Sequence, residues 1–146
     1  MEDRLDALDQ QLIEHLQVDG RVPYTALAAE LGVAEATVRK RVNRLLDEGI
    51  LKIVGVPSRE KLGLSTQAIV GVKVDGDSVE RVIVELQPLE IVRYIGVAAG
   101  EFDLILELAA TSNEELFQFL TRTLRDIEGV VASQTSLIMK VPKKSF

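Results

Sequence analysis

Apolar residues recur at three- and four-residue intervals through the first third of the chain. Leu5, Leu8, Leu12, Ile13 and Leu16 share one side of a helix, which Asp3 or Asp6 can cap and Gly20 can end. A shorter helix is expected over Thr25–Leu31, with Thr25 as its cap, Leu27 and Leu31 on one face and Gly32 as a sharp exit. The third helix runs from Glu35 to Glu48. Its apolar residues Val38, Val42, Leu45 and Leu46 fall in one arc, opposite Ala36, Lys40, Asn43, Arg44 and Asp47. Thr37 and Arg39 lie on the shoulders, and Arg41 sits beside the apolar stripe. Gly49 stops this helix, Ile50–Val56 reads as a β segment, and Pro57-Ser58 breaks the pattern. Three short helices followed by a β segment predict a winged helix-turn-helix over residues 1–58, with 59–65, containing Gly63, as a linker.

Beyond the linker the period changes, and residues 66–146 read as a second domain. Strands are expected at Ala68–Val74, Ile91–Ala98, Leu104–Ala110 and Val130–Val141. Helices are expected at Ser78–Leu86, through Val79, Val82, Ile83 and Leu86, and at Asn113–Glu128, through Leu116, Phe117, Leu120, Leu124 and Ile127. The order βαββαβ predicts a ferredoxin-like sheet with both helices on one face, so the fold class is α+β. An antiparallel sheet with one solvated face alternates apolar and polar residues. Here Ile69-Val-Gly-Val72, Ile91-Val92, Ile95, Val97 and Leu104-Ile-Leu106 are apolar in both phases. The second face therefore calls for a cover, and another copy of the chain is the expected lid.

Composition narrows the chemistry. The 146 residues contain no cysteine and one histidine, His15, which leaves no thiolate or histidine-pair metal site. No cofactor is expected, and no serine–histidine, phosphate-loop or metal-ligand pattern occurs, so no catalytic residue is assigned. The acidic N-terminus lacks a signal core, and no apolar run approaches membrane-spanning length; a cytoplasmic protein without a membrane partner is expected. The net charge is −6, yet from Ala36 to Lys61 seven basic residues face three acidic ones.

Two constellations carry candidate chemistry. The outward side of the third helix offers groups that read DNA: Arg and Lys reach guanine acceptors and Asn pairs with adenine. Ala36, Thr37, Lys40, Asn43 and Arg44 are the expected base-proximal residues, with Arg39 and Lys52 nearer phosphates; the same positions also fit a plain solvated helix face. The second constellation is Gly100-Glu-Phe-Asp103 between two antiparallel strands. Turn chemistry accounts for it, and so does an aspartate that meets a ligand's ammonium.

In combination these residues resemble the Lrp/AsnC, or feast/famine, transcription regulators. Leu8-Asp9 with Ile13, Leu27-Ala28 to Leu31-Gly32, Val38-x-x-Arg41-Val42-x-x-Leu45 and Gly49-Ile50-Leu51 are similar to the family's N-terminal signature. Lys61-Leu62-Gly63, Gly100-x-x-Asp103, Gly129-Val130 and the strand bearing Thr135 are similar to its effector domain. The resemblance implies a sequence-specific regulator that binds double-stranded DNA as a homodimer, assembles to tetramers or octamers and responds to an amino acid. It implies effector contacts from Ala99, Gly100, Glu101, Asp103, Thr135 and Ser136 where dimers meet. The chain departs from the family at Val33-Ala34, where a serine often starts the recognition helix; alanine is the poorer cap. Two other readings compete: an effector-independent DNA-bridging protein, and a haem-biosynthesis decarboxylase-like enzyme, for which the half from Leu64 onward supplies no histidine.

Overall fold

The computed structural model describes residues 5–144 and divides the chain between Val56 and Pro57 into two compact units. The first holds α1 (Ala7–Val18), α2 (Tyr24–Leu31) and α3 (Glu35–Asp47). Asp6 caps α1 in a reciprocal capping box with Asp9, each side chain accepting from the other's backbone amide; Asp3 lies outside the described residues. Asp19, rather than Gly20, occupies the C-cap of α1. Helix α2 begins one residue early, at Tyr24 behind Pro23, so Thr25 is inside the helix instead of capping it. Leu12, Leu16, Leu27, Ala28, Val38 and Val42 form the core of this unit, one helical stripe from each helix.

Ile50–Val56 forms no strand, which removes the expected wing among the described residues. Leu51 packs against the core of this unit, but Ile50, Ile53, Val54 and Val56 are exposed, so the β-prone composition of this segment finds no pairing strand within its unit.

The second unit contains β1 (Thr66–Val74), α4 (Val79–Leu86), β2 (Val92–Val97), β3 (Leu104–Ala110), α5 (Asn113–Gln118), a π-helical turn (Phe119–Thr123), α6 (Leu124–Asp126) and β4 (Val130–Leu137). The sheet order is β2-β3-β1-β4 with every pair antiparallel, as the βαββαβ pattern requires. Ala68, Val70, Val72 and Val74 of β1 and Leu104, Leu106, Leu108 and Ala110 of β3 point to the helices. There they meet Val82, Leu86, Leu116, Phe119, Leu124 and Ile127. Each Val, Leu, Ile or Phe side chain so taken from water contributes about 1.5–3 kcal/mol before entropy is charged against it.

The second helix of this domain departs from the expected single α-helix. Phe119 and Leu124 are both buried and five residues apart, and the Leu124 amide donates to the Phe119 carbonyl across the π turn. That one-residue slip rotates Phe117, expected inside, to 61% exposure. The last strand also differs. It ends at Leu137, short of the expected Val141, and lies at a sheet edge, leaving Val131, Leu137 and Met139 exposed.

Candidate functional site

Helix α3 is positioned by its own apolar stripe: Val38, Val42 and Leu45 are fully buried. Gly32, at φ 66°, gives α2 the left-handed exit that turns the chain into α3. Ala34 precedes α3 with no side-chain capping bond, as its methyl dictates. Ala36, Arg39, Lys40 and Asn43 are exposed on α3, Thr37 is half-buried, and Lys52 is exposed in the irregular segment beyond. Arg39 is partly restrained, since its Nη2 donates to Glu35 Oε1 at 2.6 Å and its guanidinium lies 5.4 Å from the Tyr24 ring centroid.

Arg44 is placed differently from the expected outward, base-proximal residue. Its Nη2 donates to Asp9 Oδ2 at 2.6 Å, and its side chain keeps only 26% exposure. Arg41 Nη1 reaches Asp9 Oδ1 and Oδ2 at 3.2 Å and Asp6 Oδ2 at 2.6 Å. Asp9 is fully buried, which an isolated carboxylate would not tolerate; two guanidiniums and the Asp6 amide, at 3.1 Å, supply its compensation. The Asp9 amide, and next the Arg41 guanidinium, hold the Asp6 carboxyl below its ordinary pKa. Sequence reasoning passed over this network although a signal existed. Asp9 stands four residues after Leu5 and three before Leu12, on the apolar face of α1.

The Gly100–Asp103 segment closes the β2–β3 hairpin. Asp103 Oδ2 accepts from the Val74 amide at 2.8 Å, and the Asp103 amide donates to the Val72 carbonyl at 3.0 Å, where the β1–β3 ladder ends. Ala99, Gly100 and Glu101 are exposed, and Glu101 lies 4.0 Å from Lys73 Nζ. The Phe102 ring packs over Gly71 of β1, where an added Cβ would lie 2.6 Å from the ring Cγ. Only a residue without a side chain lets the ring sit there, so Gly71 and Phe102 together seat the hairpin. Neither was singled out as a functional residue from sequence, because a contact across two strands leaves no local spacing to read.

Thr135 and Ser136 are exposed on β4 and pair with Val70 and Ile69 of β1. Asp103, by contrast, meets β1 at Val72 and Val74 from the β3 side. Strand spacing and rise put these two groups more than about 10 Å apart, so one chain does not bring them together. Grooves of about 350 and 300 Å³ open elsewhere in this unit, around Ile91 and Phe119 and around Arg93 and Ile95; neither includes the hairpin residues.

Comparison with known proteins agrees with both halves. The model of the AsnC-type helix-turn-helix domain matches residues 5–46, and that of the Lrp/AsnC ligand binding domain matches residues 67–146. An HTH-type transcriptional regulator of Pyrococcus furiosus is 36% identical over 143 residues, which span 97% of each chain. The solved structure of transcriptional regulator NMB0573 of Neisseria meningitidis, in complex with L-Met, aligns with a TM-score of 0.91 at 25% identity. It covers 97% of this chain and 94% of that one. AsnC of E. coli shares the fold at a TM-score of 0.91 and 21% identity, covering 98% and 97%. Fold and site thus define a transcriptional regulator with a helix-turn-helix and a ligand-binding domain. The chain belongs to the Lrp/AsnC family.

Proposed function

We propose that this protein is a sequence-specific DNA-binding regulator that reads the major groove with α3 and answers to an amino acid. The observation that carries the DNA half is the division of α3 into a buried stripe and an outward face of Ala36, Lys40 and Asn43, flanked by Thr37 and Arg39. A helix held this way fits the groove, with Lys40 and Asn43 toward base edges and Arg39 and Lys52 toward phosphates. Selection of bound fragments from random duplex DNA supplies the operator. Lys40→Ala then weakens binding to it by about 1–3 kcal/mol while changing generic binding less. Equal affinity of the folded variant for the selected site refutes the reading.

The effector is assigned to the Gly100–Asp103 hairpin and to Thr135 and Ser136, contributed by different copies of the chain. The single-chain separation of these groups supports a site completed by assembly, and an L-Met complex in a structural relative supports the ligand class. Asp103 would take the ammonium, while backbone amides and hydroxyls take the carboxylate. The domain bounds accompanying this assignment are 1–58, 59–65 and 66–146, and the setting is cytoplasmic. A thermal-shift screen of the amino acids tests it, since a ligand at 100 times its Kd stabilises by about 2.7 kcal/mol. A hit whose affinity survives Asp103→Ala moves the pocket elsewhere. No hit at all favours the effector-independent bridging protein.

A further inference from the structure

We propose that Asp9 is a positioning residue for DNA recognition: it latches Arg44 and Arg41 of α3 onto α1, so that neither guanidinium meets DNA phosphates. The proposal rests on the reading of α3 as the DNA interface and adds to it a division of labour among the α3 cations. Arg39, Lys40, Arg41 and Arg44 all lie on that helix. By charge alone they would make four equivalent phosphate contacts.

Burial separates them. Asp9 has no exposed surface and Arg44 lies 2.6 Å from it, so drawing Arg44 away would leave a buried carboxylate with half its guanidinium compensation. Arg41 is tied to the same carboxylate and to Asp6 besides. The Arg39–Glu35 pair, with side chains 58% and 44% exposed, is the opposite case: solvent screens it and it opens at little cost. Lys40 is exposed on the outward face. The latch therefore leaves Arg39 to meet phosphates and Lys40 to face base edges, and commits Arg41 and Arg44 to the helix-turn-helix itself. Its consequence is a lower generic affinity for DNA than the count of α3 cations implies, which favours discrimination over coating.

The number of phosphates engaged is read from the salt dependence of binding, where each contact contributes about 0.9 to the slope of log affinity against log salt. The full-length protein and the variants Arg39→Gln, Arg44→Gln and Asp9→Asn are titrated by fluorescence anisotropy against one mixed-sequence duplex over a range of salt. Arg39→Gln flattens the slope by about one and Arg44→Gln leaves it at the wild-type value. Asp9→Asn steepens it by about one to two and tightens binding several-fold at low salt, because the released cations reach phosphates. A variant that merely unfolds loses binding and cannot steepen the slope. Should circular dichroism show Asp9→Asn unfolded, the contrast between Arg44→Gln and Arg39→Gln decides alone. A slope flattened equally by these two overturns the latch and leaves the α3 interface standing. A slope moved by neither, or no binding by the wild type, shows that the interface reading has failed and takes the latch with it.

Discussion

Gly71 shows how much one absent side chain controls. Its flat surface on β1 receives the Phe102 ring, and the ring anchors the hairpin that carries Glu101 and Asp103. In Gly71→Ala the methyl would overlap the ring, so either Phe102 lifts or β1 shifts. Overpacking of this kind costs about 1–3 kcal/mol, readable as a lower midpoint in urea. Amide exchange at Phe102–Leu104 should rise more than at Leu106 or Leu108, because the damage begins at the hairpin. Uniform exchange along β3 would show that Phe102 does not hold the turn.

Among the elements, the segment from Asn113 to Asp126 is the clearest case of packing overriding periodicity. An unbroken α-helix would turn Phe117 inward beside Leu120; the π turn aligns Phe119 with Leu124 and leaves only Leu120 of that pair against the core. Phe119→Ala should therefore cost about 3–5 kcal/mol, while Phe117→Ser stays within about 0.5 kcal/mol of wild type. Reversed costs in chemical denaturation would return the helix to regular phase.

Helix α1 carries an acid-sensitive end. The Asp9 amide and then Arg41 lower the pKa of Asp6, so the folded state binds the proton less readily than the unfolded chain. The associated stability is present above the unfolded pKa and is lost as pH falls through the lower, folded one. Glu115, held down by the Thr111 hydroxyl and amide, adds in the same direction. Stability should be flat in this respect near neutrality and decline below about pH 4, and Asp6→Asn should flatten the decline in thermal melts against pH. An unchanged acid limb would deny Asp6 this role.

At the scale of the whole molecule, the sheet has two apolar faces of unequal fate. Leu106 is fully buried against the helices, whereas Ile69 and Ile105 lie half-buried on the opposite face. That distribution underlies the proposed homodimer. Sedimentation should find at least a dimer at micromolar concentration. Ile69→Asp should give a folded monomer, and Leu106→Asp, which puts an unpaired carboxylate in the core, an unfolded chain. A folded wild-type monomer would leave the sheet face without its cover and refute the proposal.

The amino-acid pattern by itself determined the three N-terminal helices, the ferredoxin-like topology of the second unit and most of the outward face of α3, because amphipathic periods and turn residues act over a few positions. The same local information read Leu104–Ala110 to the residue and placed Gly32 at the turn. Tertiary structure decided what depends on partners distant in sequence. It withdrew Arg44 to Asp9, 35 positions away, seated Phe102 on Gly71 and slipped one helix into a π turn. It also left Ile50–Val56 without a pairing strand. A buried carboxylate demands its counter-ion wherever the fold supplies one, and a sheet forms only where a second edge arrives. Neither condition is written in the spacing of a single segment.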